Sequence, residues 1–127
     1  MNLATTPISV GVLGCGAWAT VVATLFAHNQ HRVRLWSRDA QRCHHINSQH
    51  RNPDYMPDCP LSPLITADPS LDTITQDADL LVYALPAKHY ALARDATPSS
   101  APWLILSKGL TDEPDRLLSA DRKSTRL

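Results

Sequence analysis

Five short apolar runs alternate with stretches of helical spacing, and that alternation restricts the fold more than any other feature of the chain. Ile8 to Leu13, Val33 to Trp36, Leu64 to Ala67, Leu80 to Leu85 and Trp103 to Leu106 read as strands, rich in Val, Ile and Leu. Between them, Ala17 to about Asn29, a segment from Asp39 as N-cap to about Gln49, Pro69 to Gln76 and Ala87 to Ala96 read as helices, the third of them weak. Asn52 to Pro63 is predicted as a loop, because prolines at 53, 57, 60 and 63 remove the amides that a helix or a ladder needs. Apolar strands joined by helices imply right-handed crossovers and a parallel sheet, an α/β fold.

Parallel sheets of this kind bind ligands beyond the carboxyl ends of their strands. The residues just after each strand are therefore the ones to watch. They are Gly14-Cys15-Gly16, Ser37-Arg38-Asp39, Leu85-Pro86-Ala87 and Ser107-Lys108-Gly109, and they are expected to converge on one crevice.

The first of these segments has the pattern G-x-G-x-x-A, in "VGVLGCGAWATVVATL". Gly14 permits the tight turn out of the strand, and Gly16 lets the backbone approach a pyrophosphate with no Cβ in the way. The third position serves close packing of helix on strand, so Ala19 is tolerated there. The helix that begins near Ala17 offers free amides and the positive end of its dipole to an anion. The pattern follows a strand, opens a helix and lies near the N-terminus, which is the context a dinucleotide turn requires. The plainer alternative is a structural βα turn.

The second strand bears on the choice of cofactor. An NAD-only site places an acid about 20 residues after the glycine turn to bind the ribose hydroxyls. Counting from Ala19 reaches Ser37 and Arg38, and the first acid, Asp39, is better placed to cap the next helix. Arg38 can stack on adenine or pair with a 2′-phosphate. NADP is therefore expected to be accepted beside NAD.

With "GVLGCGAWATVVATLFAHNQHRVRLWSRD", "NPDYMP", "DADLLVYALPAKH" and "LILSKGL" in this order, the chain resembles the N-terminal half of the bacterial-type NAD(P)-dependent glycerol-3-phosphate dehydrogenases, from about Ile8 to Ser119. The resemblance implies a Rossmann-type doubly wound parallel sheet, incomplete at its C-terminal end, with residues 1–119 as the NAD(P)-binding domain. It implies hydride transfer between NAD(P)H and dihydroxyacetone phosphate, giving sn-glycerol 3-phosphate for phospholipid synthesis. By motif, Ala17 and Trp18 would line the dinucleotide at the helix start and Arg38 would hold its adenosine end. Lys108 would face both cofactor and substrate, where an ammonium can neutralise phosphate or polarise a carbonyl oxygen. Tyr55 would close over the crevice and Pro86 would shape the wall near the nicotinamide. Trp18 has a competing reading as a core aromatic, and Tyr55 and Pro86 as plain packing.

The chain also departs from the family. Family members commonly carry Gly at the Ala19 position, and they continue into a helical domain holding the catalytic lysine. After Ser119 the sequence turns to "ADRKSTRL", which does not look like the family, so residues 120–127 are expected to be a non-family tail. No catalytic residue of the reaction is then expected in this chain beyond the Lys108 contribution, and a non-catalytic dinucleotide-binding remnant is the alternative. A homodimer is the expectation for the full-length protein.

Composition closes off several other classes. Twelve basic residues balance twelve acidic ones, so no block of Lys and Arg supplies the phosphate contacts that nucleic acid needs. No apolar run approaches the roughly 20 residues of a membrane span, and Met1 to Pro7 has no basic n-region or signal core. A cytoplasmic location is the expectation. Cys15, Cys43 and Cys59 form no CxxC pair, and with His44, His45 and His50 they match no usual zinc spacing, so neither disulfide nor metal is expected.

Overall fold

The computed structural model describes residues 6–86, 88, 90–95 and 99–106. Its strands are β1 (Ser9–Leu13), β2 (Arg32–Trp36), β3 (Ile65–Asp68), β4 (Leu80–Tyr83) and β5 (Trp103–Ile105). Its helices are α1 (Ala17–His28), α2 (Ala40–Gln49), α3 (Leu71–Thr75) and α4 (Tyr90–Asp95). All strand pairs are parallel, in the order β3-β2-β1-β4-β5. Val12 of β1 lies opposite Leu35 on one side and Val82 on the other.

That order decides where the helices go. The chain steps outward from β1 to β2 to β3, then crosses back beyond β1 to β4 and on to β5. Right-handed crossovers running in opposite directions place their helices on opposite faces. One core accordingly joins Ala19, Ala23 and Ala27 of α1 and Cys43 and Ile46 of α2 to Val10, Val12, Val33, Leu35 and Ile65. The other joins Ile74 of α3 and Tyr90 of α4 to Leu13, Leu81, Tyr83 and Trp103. Tyr90 meets Tyr83 and Trp103 edge-on, with ring centroids 5.1 and 6.0 Å away, a favoured geometry for aromatic pairs that fixes α4 on the sheet. Ala19, at the third position of the glycine pattern, is buried against the sheet as a packing role requires.

Element order and type follow the sequence reading, while several ends move. β3 begins at Ile65 rather than Leu64, because the Leu64 amide is taken by the Ser62 hydroxyl at 3.1 Å. α3 starts at Leu71, with Ser70 as its cap accepting from the Thr73 amide, so Pro69 stays outside the helix. β4 stops at Tyr83 rather than Leu85. The Ala84 amide still donates to the Leu13 carbonyl oxygen at 3.0 Å, and beyond it the Tyr83 hydroxyl donates to the Pro86 carbonyl oxygen at 2.6 Å, tying the segment after the strand to its end. α4 is described only from Tyr90 to Asp95, within the longer helix predicted. The proline-rich stretch from Asn52 to Pro63 contains turns and no helix or strand.

Candidate functional site

Strand order reverses between β1 and β4, so the connections leaving these two strands run away from each other and open a crevice at their carboxyl ends. Its volume is about 310 Å³. The turn after β1 contributes Gly14, Cys15 and Gly16, the end of β2 contributes Trp36, Ser37 and Arg38, and the segment after β4 contributes Ala84, Leu85 and Pro86. Arg42 enters from α2 and Tyr55 from the proline-rich loop.

The two glycines do different work. Gly14 has φ +138°, and a Cβ there would lie 2.8 Å from the Ala84 carbonyl oxygen, so β1 and β4 can leave the sheet side by side only with glycine at this point. At Gly16 a Cβ would meet nothing closer than Tyr55 Cζ and Oη, at 3.8 Å. The protein itself does not need that space. Glycine here leaves the α1 start bare toward the crevice.

α1 is also bare of a side-chain cap. Gly16 stands at its N-cap with no side chain to accept from the first-turn amides, whereas Asp39 caps α2 and Ser70 caps α3. The first amides of α1 are thus left to an external acceptor, at the positive end of the helix dipole. A bare helix start beside an unobstructed glycine fits a bound pyrophosphate.

Asn52 holds this turn in place, and it is fully buried. Its Nδ2 donates to the Cys15 carbonyl oxygen at 2.9 Å and to Thr20 Oγ1 at 3.0 Å. Its Oδ1 accepts from the Asp54 amide at 3.2 Å, which shapes the loop carrying Tyr55. Burial pushes the Cys15 thiol up to about 11, so it is a neutral packing group at ordinary pH rather than a nucleophile. Burial likewise pushes the Tyr83 phenol up to about 12.

The β2 end carries Arg38 and Arg42 beside Asp39 and Asp54. Arg38 is exposed on the crevice wall and takes part in neither of the described ion pairs. Arg42 pairs with Asp54, and that hydrogen bond pushes the guanidinium pKa further up. Asp39 Oδ1 accepts from the Gln41 and Arg42 amides at 3.0 and 3.2 Å, so the acid after β2 is committed to capping α2.

Of the residues singled out in the sequence, Gly14, Gly16, Arg38, Tyr55 and Pro86 come together on the crevice wall. Ala17 and Trp18 do not line it. They are exposed on the first turn of α1, Trp18 by 73%, which rules out the core-aromatic reading of that ring. Lys108, with Ser107 and Gly109, lies outside the described residues. Sequence reasoning missed Asn52 and Arg42 as site residues. Arg42 had a legible signal, since it follows the Asp39 cap by three and so sits on the first turn of α2. Asn52 had none, because an Asn before Pro announces a turn without saying what its amide reaches. Among the described residues, no group of His, Cys, Asp or Glu is placed to hold a metal ion, and no helix is long and apolar enough to cross a membrane.

A parallel sheet in this order, with a glycine turn at its reversal point, defines the Rossmann class of nucleotide-binding folds. The chain belongs to the NAD-dependent glycerol-3-phosphate dehydrogenase N-terminal family, whose model matches residues 9–122. Glycerol-3-phosphate dehydrogenase (NAD(P)+) 1 of Sphingopyxis alaskensis is 40% identical over 101 residues, covering 79% of this chain and 30% of the relative. The Bacillus subtilis glycerol-3-phosphate dehydrogenase (NAD(P)+) is 35% identical over 113 residues, covering 86% of this chain and 32% of the relative. This chain thus spans about a third of the length of the curated relatives it matches. Among solved structures, the glycerol-3-phosphate dehydrogenase of Coxiella burnetii shares the fold with TM-score 0.76 and 24% identity, over 90% of this chain and 36% of that one. The Saccharomyces cerevisiae enzyme does so with TM-score 0.77 and 24% identity, over 91% and 38%.

Proposed function

We propose that this chain is the dinucleotide-binding part of a glycerol-3-phosphate dehydrogenase, with residues 1–119 as the binding unit. The reaction is reversible hydride transfer between NAD(P)H and dihydroxyacetone phosphate, giving sn-glycerol 3-phosphate for phospholipid synthesis. The observation that carries this reading is the bare start of α1 beside Gly16, at the point where strand order reverses. Family membership supports the reaction.

In this reading the α1 amides and Gly16 hold the pyrophosphate, and Ala17 and Trp18 flank it on the exposed first turn. Arg38 holds the adenosine end. With Asp39 Oδ1 accepting from the α2 amides, the acid just after β2 caps a helix rather than standing free for the ribose hydroxyls, which supports NADP as well as NAD. Tyr55 covers the crevice from the loop that Asn52 anchors, and Pro86 bounds it on the β4 side. Lys108 supplies a positive charge near both cofactor and substrate. When bound, the nicotinamide supplies or accepts the hydride. The cytoplasm is the proposed location, and a homodimer the proposed full-length assembly.

Two measurements test the two halves of the proposal. NADPH and NADH titrations of this chain test binding. A chimera in which this chain replaces the corresponding third of the Bacillus subtilis relative tests the reaction. The expected result is oxidation of NADPH that depends on dihydroxyacetone phosphate and is lost on Lys108→Ala. A folded chimera that binds NADPH yet turns nothing over would leave a non-catalytic binding module instead.

A further inference from the structure

We infer that Arg42, oriented by Asp54, is a second cation for the 2′-phosphate of NADP and so a determinant of cofactor choice alongside Arg38; the inference rests on the dinucleotide reading of the crevice. The geometry of the guanidinium is its basis. Arg42 Nε donates to Asp54 Oδ2 at 2.6 Å, and Nη2 pairs with the same oxygen. The third nitrogen, Nη1, lies 3.5 Å from Ser37 Oγ. A guanidinium carries five N–H groups in a rigid fork. The carboxylate therefore takes one edge, and the Nη1 side stays directed toward Ser37 and the crevice.

The neighbours of that side match a phosphate. Ser37 Oγ already accepts from the Asp39 amide at 3.1 Å, so its own hydroxyl proton remains to be donated. Arg38 follows Ser37 on the same wall. Two arginines and a hydroxyl at the β2 end are a donor set for an oxyanion, and planar guanidinium donors suit phosphate better than a point charge does. Each nearby acid has a partner of its own: Asp39 the α2 amides, Asp54 Arg42, and Asp68, opposite Trp36 on β3, the Ser70 amide.

Asp54 is a positioning residue in this arrangement. Its backbone amide donates to Asn52 Oδ1, and Asn52 grips the carbonyl of Cys15 in the glycine turn. The loop that meets the pyrophosphate turn thus also aims the arginine at the adenosine end. One buried asparagine sets the spacing between the two phosphate-binding regions.

Calorimetric titration of the 127-residue chain with 2′,5′-ADP and 5′-AMP, and with NADPH and NADH, tests this directly. The parent chain is expected to favour 2′,5′-ADP over 5′-AMP. Arg42→Gln is expected to weaken 2′,5′-ADP and NADPH by about tenfold or more, while 5′-AMP and NADH change by no more than about twofold. Arg42→Gln with Asp54→Asn removes the ion pair as a unit, and the same selective loss is expected should the single variant fold poorly. Equal loss for both nucleotides, or no loss, in a variant with the parent melting temperature would overturn the inference and reduce the pair to a loop strap. A parent chain that binds 5′-AMP and NADH but gains nothing from the 2′-phosphate overturns it too, while the dinucleotide reading stands. A parent that binds none of the four ligands overturns both.

Discussion

Asn52 and Cys15 are 37 positions apart in the sequence, yet the Asn52 amide donates to the Cys15 carbonyl oxygen at 2.9 Å inside a fully buried contact. This bond ties the proline-rich loop to the glycine turn. It also satisfies a carbonyl that the turn leaves without a ladder partner, and a buried polar group of that kind is costly when unpaired.

Asn52→Ala is therefore expected to destabilise the chain by about 2–3 kcal/mol, since it orphans a buried acceptor as well as losing its own bonds. Urea unfolding measures this, and the NADPH affinity of the variant is expected to fall with it. A change within about 0.5 kcal/mol, the scale of an ordinary surface substitution, would mean that the loop is not held by this residue.

The two turn glycines are expected to separate stability from binding. Gly14→Ala combines positive φ with a contact of 2.8 Å to backbone, and is expected to cost about 3 kcal/mol. Gly16→Ala meets only an ordinary 3.8 Å contact with Tyr55, so its melting temperature is expected to match the parent's. Thermal melts of the two variants side by side check this, and equal destabilisation would contradict it.

Arg38 and Asp39 are neighbours with opposite expected effects. Arg38→Ala is expected to weaken NADPH more than NADH, with little change in stability. Asp39→Ala removes the α2 cap and is expected to cost about 1 kcal/mol, leaving NADH affinity unchanged. A loss of NADH affinity in Asp39→Ala, at constant fold, would show that this acid binds the ribose after all.

The Cys15 thiol gives the chain an alkaline sensitivity. Its pKa rises from 9.0 to about 11 on folding, chiefly through burial. Above pH 9 the unfolded chain loses this proton first, so the folded state binds more protons and stability falls as pH rises. The contribution is fully present below pH 9 and is lost as pH rises through about 11. Denaturation midpoints at pH 8, 9.5 and 11 follow it, and Cys15→Ser is expected to flatten the decline. At pH 8 exposed Cys59 is expected to react with an alkylating reagent well before Cys15 does.

The strands were legible because they are short runs dominated by apolar residues, and the Asp39 cap because an acid directly precedes a helical stretch. β4 illustrates the limit. Leu85 continues the apolar run of Leu80–Tyr83, yet the ladder ends with the Ala84 amide on the Leu13 carbonyl oxygen, and the Tyr83 hydroxyl ties the chain beyond it to Pro86. No periodicity carries that bond. At the site, Gly14, Gly16 and Arg38 were legible because position after a strand predicts them. Asn52 reaches Cys15 across 37 positions, a pairing set by how the β2–β3 connection packs on the glycine turn, and Arg42 reaches Asp54 across 12, a pairing set by how the proline-rich loop folds back on α2.

The most direct test is a titration of this chain with NADPH, followed by nicotinamide fluorescence, with Gly16→Ala in parallel. One saturable site is expected, competed by NADP+ and weakened by about tenfold or more in the folded variant, because the added methyl group occupies the pyrophosphate approach. No saturable binding, or the same affinity in both proteins, would contradict a dinucleotide site at this turn.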